Sequence, residues 1–353
     1  MKALIFPLAF LGSLLYGAGV ILRTWLYRLR LLPAYHLPCR VISIGNLVAG
    51  GTGKTPHVAL LAGRLQKKGI KTAVLSRGYR GRKMKAGAVI SDNQAVIGSL
   101  PDGGEEPFWL ARHLPGVPVL VGKDRLRSGR LCVKRWQTEW VLLDDGFQYL
   151  RLERTVNLLL LTVKAPFGPG GLLPLGTLRE PIHHLRRADL ILITHAEAAG
   201  PLEKKDLLKR IRKISPEVPV FFSDHWPARL WNLADRTPRP LSWLQGKKVL
   251  AFCGLAQPDS FAFSLRQLKS EIVHLAVFPD HYAYDQKDKE KLANLARSLK
   301  PDLLITTEKD ALKIEGWNPE QELVLVLGIE IQIQEPAFWD LLDRKIADSP
   351  NVA

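Results

Sequence analysis

Val41-Ile-Ser-Ile44-Gly-Asn-Leu-Val48-Ala-Gly50-Gly51-Thr52-Gly53-Lys54-Thr55 joins a short apolar run to a glycine-rich stretch ending in Lys-Thr. The apolar run Val41–Ile44 has the length and composition of a buried strand, and His57–Lys68 continues as a helix. Strand, glycine loop, Lys-Thr and helix in that order are the parts of a P-loop. Glycines at 50, 51 and 53 let backbone N–H groups turn inward on phosphate oxygens, with Thr52 among them. The helix N-terminus adds partial positive charge. Lys54 is placed to reach the β- and γ-phosphates, and Thr55 to ligate Mg²⁺. One departure stands out: the first glycine of the usual spacing falls on Val48.

Outward from this stretch, short apolar runs alternate with helical patterns. Further strands are expected at Thr72–Leu75, Val119–Val121, Val141–Leu143, Asn157–Leu161 and Leu190–Thr194. This alternation implies an α/β fold of the P-loop NTPase type, a mostly parallel sheet with helices on both faces. Prolines and tryptophans cluster without periodicity between Ser223 and Gly246, which reads as a hinge or linker over 223–246. A second set of strands is expected at Lys248–Phe252, Val273–Val277, Leu303–Thr306 and Leu323–Leu327. The organisation expected is an apolar N-terminal helix over 1–30, a P-loop core over 31–222, and a smaller α/β domain over 247–353.

Composition narrows the function. The 353 residues are 46% hydrophobic and 24% charged, which excludes a disordered chain. The three cysteines lack CxxC spacing, so a disulfide framework or thiolate zinc site is not expected, and a reducing cytoplasm is. A formal charge of +16 favours anionic partners: nucleic acid, phosphorylated ligands or an acidic membrane surface.

The N-terminus bears on that choice. Ala3–Leu22 is uncharged and mostly apolar, about long enough to cross a bilayer core. Arg23, Trp25, Tyr27, Arg28 and Arg30 follow, the composition of a cytoplasmic membrane interface. Membrane attachment is expected, spanning or lying in the interface; a core helix packed on its own domain is the alternative. Because this aromatic–basic cluster flanks the apolar segment, a nucleic-acid-binding ATPase fits less well.

Trp140-Val-Leu-Leu-Asp144-Asp145-Gly146 ends an apolar run in two acids, a Walker B pattern. One acid would hold Mg²⁺, directly or through water, and the other would orient a water or the strand end.

These segments together resemble the tetraacyldisaccharide 4′-kinase family, the lipid A 4′-kinases of Gram-negative bacteria. The resemblance rests on Ile44–Pro56, Leu75-Ser-Arg-Gly-Tyr79, Gly104-Glu-Glu-Pro107, Asp144-Asp-Gly-Phe-Gln148, Leu172–Pro181, Phe278-Pro-Asp-His281 and Thr306-Thr-Glu-Lys-Asp310. The family's loop likewise displaces its first glycine, which accounts for Val48. The resemblance implies transfer of the ATP γ-phosphate to the 4′-hydroxyl of an acylated glucosamine disaccharide 1-phosphate. It implies ATP and Mg²⁺ as cofactors and a place on the cytoplasmic leaflet of the inner membrane, with no nucleic acid and no obligate protein partner inferred. Carried over by position, Lys54 and Thr55 keep their P-loop tasks, Asp145 with Asp144 is the Mg²⁺ site, and Glu106 assists there. Glu105 is the base on the sugar hydroxyl, paired with His281.

Three positions depart from the family: Glu105 replaces an Asp, Tyr149 a His and Arg80 a Gly. Because Glu105 is one methylene longer than Asp, Asp102 stays open as the base. The roles of Arg77, Arg80, Arg179 and Lys309 also stay open. His183-His184 is adjacent rather than at helical spacing, poor geometry for a metal, and reads as surface. A P-loop GTPase would need an Asn-Lys-x-Asp motif, and Glu308-Lys-Asp310 only echoes one.

Overall fold

The computed structural model describes residues 2–319, 323–333 and 335–348. The chain forms two compact units, residues 1–224 with 333–353, and residues 225–332.

The first unit is built on an eight-stranded sheet in the order β3-β4-β2-β5-β1-β6-β7-β8. Its strands are β1 Arg40–Asn46, β2 Thr72–Ser76, β3 Ala88–Ser91, β4 Val119–Val121, β5 Trp140–Asp144, β6 Val156–Thr162, β7 Leu190–Thr194 and β8 Val220–Phe222. Neighbours pair in parallel except β3, which runs antiparallel to β4 at the edge. The helices of this unit are α1 Lys2–Arg28, α2 Lys54–Lys67, α3 Leu100–Gly103, α4 Glu105–His113, α5 Arg125–Trp136 and α6 Pro201–Ile214. α5 contributes Leu126 and Cys132 to the core on the sheet face carrying Val41, Ala73, Leu75, Val141 and Leu143. The alternate residues Ile42, Ile44, Val74 and Leu142 are equally buried on the other face, so both faces are covered, as parallel sheets require. α6 seals the far end through Leu207 and Ile211 against Leu159, Leu161, Ile191 and Ile193.

The second unit has a six-stranded sheet, β10-β9-β14-β13-β11-β12. Its strands are β9 Asp224–Asn232, β10 Pro238–Arg239, β11 Lys248–Cys253, β12 Glu271–Val277, β13 Leu303–Thr307 and β14 Val324–Gln332. Its helices are α7 Pro258–Gln267, α8 Gln286–Leu299 and the single turn α9 Glu308–Ala311.

Both edges of the expected second domain differ. The stretch 223–246 is not an open linker, because it supplies β9, β10 and a 3₁₀ turn at Leu241–Leu244. Pro227 argues against a strand, yet β10 covers β9 only at Leu230 and Trp231. Pro227 therefore lies outside the β10 pairing, where a missing N–H costs that ladder nothing. The last helix, α10 Pro336–Ala347, returns to the first unit. There Phe338 is fully buried with its ring 5.4 Å from Phe221, and Asp343 takes Arg64 at 2.8 Å and Lys68 at 2.7 Å from α2.

α1 packs through one narrow stripe. Ser13 Oγ donates to the Leu172 carbonyl at 3.0 Å, Tyr16 Oη to that of Arg179 at 2.9 Å, and Arg23 Nη2 to that of Gln148 at 3.2 Å. Gly17 keeps this contact close, since a Cβ would come within 2.8 Å of the Leu172 side-chain tip and push it aside. The other faces expose Leu8, Leu11, Leu14, Leu15, Leu22 and Trp25.

Candidate active site

The glycine loop leaves the carboxyl end of β1 between β5 and β6. The chain goes from β1 to β2 on one side and from the neighbouring β6 to β7 on the other, and a crevice opens at such a point in parallel sheets. Gly50 (φ 128°) and Gly53 (φ 76°) take backbone conformations that a side chain would strain. α2 starts at Lys54, three residues before the expected start, so its first turn abuts the loop directly. Val48 is explained by pairing. It bridges Leu178 in antiparallel fashion, with Ala49 N–H on the Thr177 carbonyl at 2.7 Å and Arg179 N–H on that of Leu47 at 2.7 Å. This part of the loop is extended, so a glycine's freedom is not needed there.

A buried histidine braces the loop. His57 Nδ1 lies 2.7 Å from the Gly53 carbonyl and Nε2 2.8 Å from Ser223 Oγ. A carbonyl only accepts, so Nδ1 carries the proton and Nε2 accepts from the serine. Burial pushes His57 down to about 4. The unfolded chain then binds the extra proton between pH 6.5 and about 4, so this contribution is full above pH 6.5 and is lost as pH falls. Thermal melts over this window should show the wild type losing stability with falling pH more steeply than His57→Gln, by up to about 1.4 kcal/mol per pH unit.

Asp144 closes β5, and Asp145 follows in a left-handed conformation, φ 55°. At the sharp turn that follows, Gly146 N–H donates to the Ile44 carbonyl at 3.0 Å, and Phe147 lies against β1: a Cβ on Gly45 would meet Phe147 at 2.6 Å. Asp144 Oδ2 accepts from Ser76 Oγ at 3.1 Å, while Oδ1 is buried without a partner. Burial raises Asp144 to about 7, helped by the nearby charges of Glu106 and Asp145. Asp144 thus keeps one buried oxygen with no donor, although Lys54 also acts on it. Thr55 Oγ1 and Thr52 Oγ1 are likewise buried and unpartnered. Thr55, Asp144, Asp145 and Glu106 carry hard oxygens of the kind that could hold Mg²⁺, and the loop carries N–H groups of the kind that could hold a triphosphate.

Asp145 faces cations. Burial opposes its ionisation, but Lys54 and Arg179 outweigh that and hold its carboxyl well below the usual range. Lys54 Nζ lies 3.5 Å from Oδ1 and 3.4 Å from Asn46 Oδ1. Arg179 grips Asp145 with both terminal nitrogens at 2.8 Å and also donates to Asn46 Oδ1. Arg179 is therefore part of the site. Arg125, absent from the sequence-based set, also belongs near it: its buried guanidinium feels both Asp145 and Asp144. The signal for Arg179 was its place in Leu172–Pro181; Arg125 follows the unremarkable Asp124 turn.

Behind Arg179, Glu180 is fully buried and accepts from His184 Nδ1 at 2.7 Å and Arg187 Nη2 at 2.6 Å. His184 is thus an interior residue, a correction to its surface reading, because the 3₁₀ turn Ile182–Arg187 points it back at Glu180. Glu105 and Glu106 open α4 and are half-buried. Asp102, on α3, accepts from Ser99 Oγ at 2.8 Å. Gly104, φ 82°, lets this segment approach the basic loop, since a Cβ there would lie 2.5 Å from the Tyr79 carbonyl. His281 sits in the second unit with φ 59°, its Nε2 3.7 Å from Asp280. Left-handed backbone at a non-glycine residue marks both Asp145 and His281 as held against local preference.

A sequence profile of the family described as tetraacyldisaccharide-1-P 4′-kinase, LpxK, matches residues 1–347. The chain belongs to this family. The tetraacyldisaccharide 4′-kinase of Syntrophus aciditrophicus is 40% identical over 342 residues, covering 94% of this chain and 90% of that protein. That of Pelobacter propionicus is 39% identical over 329 residues, with 92% and 88% covered. Among solved structures, LpxK from Aquifex aeolicus, an "apo" form in complex with ATP, is similar at a TM-score of 0.72 and 31% identity, covering 94% of this chain and 96% of that one. The LpxK fold, with its mixed α/β architecture, is thus shared.

Proposed function

We infer that this LpxK-family protein transfers the γ-phosphate of ATP to the 4′-hydroxyl of a tetraacylated glucosamine disaccharide 1-phosphate, a step of lipid A biosynthesis. The observation that carries the chemistry is the cluster of Lys54, Thr55, Asp144 and Asp145 at the carboxyl ends of β1 and β5. Mg²⁺, held by Thr55 and the Asp144–Asp145 pair with help from Glu106, would neutralise phosphate charge there. Lys54 binds the β- and γ-phosphates, and the N–H groups of Gly50–Gly53 fix the chain of phosphates in line for displacement. The acceptor hydroxyl gives its proton to a carboxylate as its oxygen bonds the γ-phosphorus, and the bond to the β-phosphate oxygen breaks to release ADP. Glu105 is that base in this reading, with His281 orienting it or tuning its affinity for the proton. His281 belongs to the second unit.

The membrane reading is supported by α1. Its outward faces carry leucines and a tryptophan, while Ser13–Arg23 stays fastened to the polar first unit. A helix so fastened cannot cross the bilayer core without dragging that surface along, which favours an interfacial position on the cytoplasmic leaflet.

The base assignment has a direct test. Glu105→Gln is expected to slow phosphoryl transfer by about 10²-fold or more in detergent, with Mg²⁺ and radiolabelled ATP. His281→Ala should give a comparable loss and an altered pH profile. A near-normal Glu105→Gln enzyme beside a crippled Asp102→Asn enzyme would move the base to Asp102.

A further inference from the structure

Where α1 ends, a cleft of about 1100 Å³ opens between the last turn of the helix, the 30–36 segment and the 3₁₀ turn Ile182–Arg187. Its walls are of two kinds. Ile21, Trp25 and Tyr27 of α1 form an apolar and aromatic side continuous with the exposed face of that helix. Arg28, Arg30, Arg186 and Arg187 with His183 make up its cationic lining.

The cationic charge is poorly compensated. The one lining carboxylate, Glu153, pairs with His36 at 3.1 Å. Glu180, fully buried, neutralises Arg187, and Asp145 is not among the residues that line the cleft. Arg186 Nε donates to the Ile214 carbonyl, which leaves its charge unmatched. Among the described residues no carboxylate pairs with Arg28, Arg30 or Arg186. Partial burial and the neighbouring cations His184, Arg186 and Arg187 push His183 below its ordinary value, as a site of positive potential would.

We propose that this cleft binds the phosphate headgroup of an anionic bilayer phospholipid, beside and separate from the catalytic centre. Arg28 and Arg186 contact the phosphate oxygens, and Trp25 and Ile21 border the first carbons of the acyl chains. The occupant is lipid-borne because the apolar wall continues the lipid-facing side of α1. The proposal rests on α1 lying in the bilayer interface, and the test separates the two ideas.

Full-length protein is floated with phosphatidylcholine vesicles, with and without phosphatidylglycerol. Binding to neutral vesicles reads α1; the gain from phosphatidylglycerol reads the cleft. The wild type is expected to gain about tenfold or more in affinity. The Arg28→Gln/Arg186→Gln double variant should lose most of that gain and keep neutral binding, detergent-phase kinase activity and the wild-type melting curve. Arg28→Lys/Arg186→Lys, which keeps the charge, should restore much of the gain and guards against misfolding of the glutamine variant. Inorganic phosphate, added alone, should compete only weakly for the wild type. The proposal is overturned if the glutamine variant keeps the full gain. It is equally overturned if vesicle binding is unchanged while the KM for the acceptor in detergent rises tenfold, which would give the cleft to the acceptor's own phosphate. Absence of binding to any vesicle would remove the interfacial reading of α1 and this proposal with it.

Discussion

Lys54→Ala is expected to lower kcat by about 10³-fold or more while leaving the fold intact. The separation follows from the charges around Asp145. Lys54 contributes one cation at 3.5 Å, but Arg179 holds the same carboxylate through two contacts at 2.8 Å. Removing the lysine therefore strands no buried anion, and little stability is lost. What disappears is the ammonium that reaches from the start of α2 to Asn46 and Asp145. Charge built up on the transferring phosphoryl group then lacks its nearest partner. Transfer from radiolabelled ATP to the acylated disaccharide 1-phosphate, measured beside a thermal melt, separates the outcomes. An enzyme within tenfold of wild type would take Lys54 out of the transfer step.

Asp145→Asn should be nearly as damaging to rate, about 10²- to 10³-fold, and should also alter acid stability. The amide is a poorer donor to Mg²⁺, so the concentration of Mg²⁺ needed for half-maximal rate should rise. It also leaves Lys54 and Arg179 facing a neutral group in a largely buried place. The carboxyl of Asp145 is held below its usual range, so the unfolded chain binds the proton first as pH falls. Its stabilising contribution is present at neutral pH and is lost in acid, below the ordinary carboxylate value. The asparagine variant should therefore be less stable than wild type at neutral pH, and the gap should narrow as the solution is acidified. An unchanged Mg²⁺ requirement would count against Asp145 as a ligand.

Much of this architecture was legible because the central strands are fully buried. Val41–Ile44, Val141–Leu143 and Leu190–Thr194 are continuous apolar runs since both faces of a parallel sheet are covered. The elements that escaped detection lie where that rule lapses. β3 is a short antiparallel edge, and β9 carries Pro227 outside its pairing with β10. The phosphate loop and the Asp-Asp pair were readable because their chemistry is local. Arg179 and Arg125 were not assigned roles, because what makes them matter is a carboxylate reached through the fold. His184 was misplaced for a related reason: an adjacent histidine pair gives no periodic hint that one ring turns inward to Glu180.

The return of α10 to the first unit sets an order on synthesis. Because Asp343 anchors α2 through Arg64 and Lys68, the helix at the glycine loop acquires its outer brace from a residue made 279 positions after Arg64. The whole of 225–332 is made in between. A nascent chain carries its nucleotide loop long before it carries the clamp on that loop's helix, so premature termination anywhere in the insert yields an unbraced first unit.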